Sequence, residues 1–160
     1  MKRFISVKVL SIVFLLVLSL GFGVSAYAEP TIKVKITDPG LDGAKVGKET
    51  LVKGTAIIPS GNYLWVLVHR TKGFKRVWWP QNQADIDPET KKWEVNVVFG
   101  GPQDIKYEFE IAAIVVNGTE HSKLQDYWNK AMSSGHWPPI PMPPTVTAPV
   151  YRNVKKTNHY

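Results

Sequence analysis

The sequence predicts a mainly β protein: a sandwich of seven short strands, with one helix at about residues 120–132 and a polyproline segment before the last strand. Three observations predict it. Short apolar or alternating runs recur between Gly, Pro, Asn and Asp turn signals. Tyr63–Arg70 is apolar in both of its alternating sets, which is the pattern of a central strand covered on two sides. Leu124, Tyr127, Trp128 and Ala131 fall at i, i+3, i+4 and i+7, one apolar stripe of a helix.

The chain opens on an export signal. Met1-Lys2-Arg3 and Lys8 make a basic start, Val9–Leu20 an apolar core, and Ala26-Tyr27-Ala28 a small-x-small cleavage site, so residues 1–28 read as a signal peptide. The alternative, an uncleaved membrane anchor, needs an apolar run of about 20 residues. Without Lys2, Arg3 and Lys8, the 20 Lys and Arg fall to 17 against 13 Asp and Glu, a net charge of +4 instead of +7. That charge is mild and scattered, and a nucleic-acid partner needs a basic stripe. There are no cysteines, which excludes disulfides, thiolate chemistry and cysteine-bound metal. Residues 29–156 are long enough for one domain with its own core, followed by a loose tail at 157–160.

In order, Ile32, Val34 and Ile36 alternate with Lys33, Lys35 and Thr37 to give a first, half-exposed strand. Leu51–Ile58 is the second, with Gly54 a bulge or close-approach point. Tyr63–Arg70 is the third, and Lys75–Trp79 a short fourth, stopped by Pro80. A polar loop spans Gln81–Lys92. Trp93, Val95, Val97 and Phe99 mark a fifth strand. Ile105–Val116 is the sixth and longest, with Ile105, Tyr107, Phe109, Ile111, Ala113 and Val115 inward. Its other face is wet at Lys106, Glu108 and Glu110 but apolar at Ala112, Ile114 and Val116. That apolar half is a platform for the helix, which Thr119 or Ser122 caps and Gly135 ends. If the third and sixth strands pair antiparallel, Leu64 and Val66 complete the platform and Arg70 approaches Glu108. His136–Pro144 cannot be a central strand or helix. With Trp137, Ile140 and Met142 between its prolines, it is expected to run extended and pinned against the body. Thr145–Val154 returns to strand pattern, with Pro149 confining it to an edge or bulge.

Seven strands of this pattern resemble the immunoglobulin-like and fibronectin-type-III-like sandwiches of secreted bacterial proteins. Trp65 stands where that family carries a core tryptophan on its third strand, and Tyr107 resembles the tyrosine near the start of the sixth. Phe109 takes the place of the second cysteine of antibody domains. The likeness covers Ile32–Val116 and Thr145–Val154; the helix and the proline segment depart from it. It implies a role in binding or spacing.

The chemistry-bearing candidates are few. Trp78 and Trp79 face opposite ways on a strand, so one can be core while the other, with Gln81, Arg70 and His69, meets a sugar ring or a peptide side chain. The alternative is that the second tryptophan packs under the helix or the proline segment. Glu108 and Glu110 share a strand face, about 7 Å apart, but a hydrolytic pair must flank a bond in a cleft. Asp85-Ile86-Asp87-Pro88-Glu89 begins like a calcium loop yet lacks its glycine and closing Glu. His69, His121, His136 and His159 show no zinc spacing, and no nucleophile–base motif appears. The expectation is an exported, non-enzymatic binding or accessory module of the cell envelope or extracellular space. It would have no metal or cofactor, no nucleic-acid partner and no membrane span after cleavage, and would recognise a protein or glycan through Trp78, Trp79, Gln81, Arg70 and His69. The alternatives are a carbohydrate-binding or polysaccharide-acting protein, and a structural module without a ligand of its own, docking through Trp137–Pro144.

Overall fold

The computed structural model describes residues 31–74 and 76–157. Residues 1–30 (which include the expected signal peptide at 1–28), Lys75, and residues 158–160 with His159 lie outside the described residues. Among the described residues, nine strands form two sheets. The smaller orders β1 (Lys33–Asp38), β3 (Glu49–Ile57) and β6 (Lys92–Val98) as β1-β3-β6. The larger orders β2 (Ala44–Val46), β9 (Val150–Lys156), β7 (Glu108–Asn117), β4 (Asn62–Arg70), β5 (Val77–Ala84) and β8 (Ile140–Pro141) as β2-β9-β7-β4-β5-β8. One helix, α1, spans Gly118–Ser134.

β4 is the central strand its sequence predicts. It pairs antiparallel with β7 from Asn62↔Asn117 to Arg70↔Phe109 and with β5 on its other side. Both faces are buried from Leu64 to Val68. Leu64, Val66 and Val68 join Phe109, Ile111, Ala113 and Val115 of β7 in the core between the sheets. Opposite them stand Ile36, Val52, Ala56 and the β6 set Trp93, Val95, Val97.

The helix platform uses the other face of β4. The apolar half of β7, Ala112, Ile114 and Val116, does meet α1, but its partners are Trp65 and Leu67, with Leu124 and Trp128 of the helix. The register decides this: Leu64 lies opposite Val115 and Trp65 opposite Ile114, and paired residues share a face. Trp65 is therefore core, but under the helix and not between the sheets as the immunoglobulin likeness implies. Its indole N–H donates to His121 Nδ1 at 3.2 Å, and His121 stacks on Tyr63.

Several bounds move for physical reasons. Asn117 caps α1, its side chain accepting from Glu120 N at 3.0 Å, so the helix starts ahead of Thr119; Gly135 closes it in the left-handed conformation. Pro80 does not stop its strand. It sits beside a register shift opposite Val66 and Leu67, where a missing N–H is tolerated, and β5 runs on to Ala84. Residues 105–107 turn, with Lys106 at φ 71°, so β7 starts at Glu108. β2 and β8 add two short strands to the seven. Pro149 lies before β9, which is paired on both sides, by β7 and, in parallel, by β2. Thr157 N donates to Val46 O at 3.0 Å, and Lys156 is wholly buried; the expected loose tail is tied down at least this far.

The proline segment is pinned, as expected. Tyr127 Oη donates to Pro138 O at 2.9 Å and Trp79 Nε1 to Trp137 O at 3.0 Å, while Ile140 and Met142 pack on the helix-side cluster. Burial pushes the Tyr127 phenol up to about 12, which keeps it a donor.

Gly54 is the close-approach point. A Cβ there would lie 2.0 Å from Lys35 O and 2.3 Å from the Trp93 ring, and the backbone atom cannot move aside without parting β1 from β3. Gly54→Ala is expected to lower stability by about 1–3 kcal/mol, measured by urea denaturation; a change under about 0.5 kcal/mol would contradict this packing.

Candidate functional site

The two sheets do not close completely along the side where β5 faces β6. There a cleft of about 710 Å³ opens, within the range of ligand sites. Its floor is Trp79 and Gln81 of β5, and one wall is Asn96 and Val98 on the edge strand β6. The other wall is Trp128 and Met132 of α1 with Trp137, and Arg70, Phe74 and Asp104 close one end.

Each wall is held by a specific bond. Gln81 Oε1 accepts from Val98 N at 2.8 Å, and its Nε2 donates to Trp79 O at 3.1 Å. The amide spans the gap between the sheets and satisfies an edge donor of β6. Trp128 Nε1 donates to Gln81 O at 2.9 Å, covering an edge carbonyl of β5 and fixing α1 to the sheet. Trp137 meets Tyr127 and Trp128 edge-on, and Phe74 meets Trp79 edge-on.

The end of the cleft is a polar network. Arg70 Nη1 pairs with Asp104, and its guanidinium lies over Tyr107 at 4.3 Å and Phe74 at 4.8 Å. Asp104, 4% exposed, also accepts from Gly101 N at 2.8 Å and Gln103 Nε2 at 3.2 Å. Gly100 has φ 56°, and a Cβ on it would lie 2.2 Å from Asp104 Oδ2, so the carboxylate can turn inward only beneath a glycine. Lys156 Nζ donates to Gly100 O and Gly101 O. Burial holds its pKa below the usual lysine value while nearby Asp104 opposes the shift. The expected Arg70–Glu108 pair is absent: Arg70 lies opposite Phe109, its guanidinium goes to Asp104, and Glu108 O accepts from Thr71.

Of the five residues singled out in the sequence, the structure brings Arg70, Trp79 and Gln81 to this cleft. It puts Trp78 and His69 on the opposite sheet face, their rings 5.2 Å apart, with Trp78 buried against Tyr151 as well. His69 Nδ1 lies 2.8 Å from Val77 O. Sequence reasoning missed Phe74, Asn96, Asp104, Trp128 and Met132. Only Asp104 left a trace, as an acid beside the Gly100-Gly101-Pro102 turn; the others become neighbours solely through sheet packing.

The remaining candidates resolve locally. Asp87 Oδ1 accepts from Glu89 N and Thr90 N at 2.9 and 2.7 Å, and these bonds hold its pKa below the usual carboxylate value; this is a turn. Among the described residues, no cluster of three His, Asp or Glu side chains suits a metal. Glu108 is exposed, whereas Glu110 is half-buried across from His69. No protein-family model matches the chain, and no curated protein matches it.

Two outcomes follow. Asp104→Ala strands Arg70 and the Gly101 N–H; it is expected to cost about 3 kcal/mol, the low end for breaking a buried pair, in chemical denaturation. No loss would mean that the network is not structural. Glu110 has a pKa raised above 4.5, chiefly by burial, with His69 opposing. It binds its proton more tightly folded than unfolded, so its contribution favours the fold below that ordinary value and is lost as pH rises through the raised one. From about pH 4 to about pH 7 the wild type should lose thermal stability relative to Glu110→Gln; parallel profiles would contradict the shift.

Proposed function

We propose that this chain is an exported, non-enzymatic recognition module of immunoglobulin-like type, which binds a cell-envelope or extracellular protein or glycan in the aromatic cleft between β5 and β6. The observation that carries this reading is the cleft itself: indoles oriented by hydrogen bonds, with a polar rim, on a rigid sandwich edge. The order β9-β7-β4 against β1-β3-β6 supports the immunoglobulin-like assignment, since it matches the G-F-C and A-B-E strands of that sandwich. Two features favour binding over chemistry. Asp104 is the single carboxylate lining the cleft among the described residues, and it is already engaged by Arg70, Gly101 and Gln103. Glycoside hydrolysis uses two such groups flanking a bond. Export rests on the Met1–Ala28 pattern, and no helix among the described residues is long and apolar enough to cross a membrane. The docking role considered for Trp137–Pro144 is weakened by its own engagement: Trp79 and Tyr127 already hold its carbonyls.

The test is retention of the purified protein on insoluble cell-envelope material and on immobilised envelope proteins, with Phe74→Ala and the double variant Phe74→Ala/Asn96→Ala alongside. Both positions are exposed, so folding is expected to survive. Wild-type retention reduced roughly tenfold in the double variant supports the cleft; equal retention, or none, rejects it.

A further inference from the structure

We infer that the ligand of this cleft is a neutral saccharide chain, bound with the apolar faces of its rings on Phe74, Trp79 and Trp137 and its hydroxyls on Arg70, Asn96 and Gln103. The inference rests on the recognition reading above and narrows it to one chemistry.

The argument comes from which groups are spent and which remain. A peptide lying in an aromatic groove needs donors for its backbone carbonyls. Two of the cleft's three indole donors are already used, Trp79 Nε1 on Trp137 O and Trp128 Nε1 on Gln81 O, as is Tyr127 Oη just behind the wall on Pro138 O. This leaves Trp137 Nε1 as the one indole N–H of the cleft without a described acceptor, too few for a peptide's run of carbonyls. Apart from that one N–H, what the rings still offer is their carbon surface. Phe74 and Trp137 each keep 37% of their surface exposed.

Charge narrows the choice further. Among the described residues the charged groups lining the cleft are Arg70 and Asp104, which pair with each other. The site therefore presents no net charge to a phosphate, a nucleic-acid backbone or an ionic head group. A purely apolar ligand is disfavoured by the rim. Arg70 spends Nε on Lys72 O and Nη1 on Asp104, and no described acceptor takes Nη2. Asn96 is exposed with no side-chain hydrogen bond to a described residue. Covering these groups with hydrocarbon would strand them. A pyranose ring suits both sets at once: axial C–H groups over a flat aromatic surface, and equatorial hydroxyls, each donor and acceptor, facing amides and a guanidinium. The Trp79 indole is already fixed by its hydrogen bond and Trp137 by its edge-on contacts with Tyr127 and Trp128, which lowers the ordering that opposes binding.

The experiment titrates the purified protein with cellohexaose, xylohexaose, mannohexaose and chitohexaose, following intrinsic tryptophan fluorescence and isothermal calorimetry. A decaproline peptide and an anionic apolar dye run as parallel probes. Saturable binding of at least one hexasaccharide is expected. It should weaken roughly tenfold or more in Phe74→Ala and in Asn96→Ala, with little dependence on salt. Neither residue is buried, and circular dichroism of each variant confirms folding. If the peptide or the dye binds in a Phe74-dependent way while no hexasaccharide does, the saccharide inference falls and the recognition site survives. Saccharide binding indifferent to both variants overturns the inference by moving the ligand elsewhere. If no probe binds, both readings fall.

Discussion

The pairing of β4 with β7 is the constraint on which the rest of the molecule depends. Nine residue pairs hold the two strands in one register, and every side chain from Leu64 to Val68 is out of water. Since strand neighbours point to opposite faces, such a run forces apolar cover onto both sides of the sheet. On one side the cover is the three-stranded sheet, on the other α1 and the proline segment. A slip of one residue would exchange Trp65 and Leu67 for Leu64 and Val66, setting an indole against the opposing sheet and unmaking both layers.

Much of this could be read in the residues. The two-sided run of β4, the split face of β7, the stripe of α1, the close approach at Gly54 and the pinning of the proline segment all follow from local pattern. The face of β4 that meets the helix does not. Leu64 and Trp65 are both apolar, so alternation alone cannot say which faces which layer; only the β4–β7 register, set between strands distant in the chain, decides it. Pro80 misled for a related reason. A proline ends an ordinary strand, but a bulge removes the need for its N–H.

The cleft was half legible. Trp79 and Gln81, close together in the chain, and the more distant Arg70 are candidates the sequence offers, and they do converge. Trp78 and His69 fell away because adjacent strand residues diverge, a rule that names two faces without saying which one is open. Phe74, Asn96, Asp104, Trp128 and Met132 come from four separate stretches of chain, and nothing in any one stretch announces the meeting. Asp104 illustrates the limit well: its partner Arg70 is 34 residues away, and its inward turn depends on the bare backbone of Gly100.

Gln81 has a consequence for the dynamics of the edge. Its amide reaches from β5 to the main chain of β6, so one side chain of fixed reach acts as a spacer between the layers. The separation of the two edges at the mouth of the groove is thereby set by a bond within the molecule. For the ligand proposed above, discrimination in such a slot would come from thickness and outline, with association free of a slow rearrangement step.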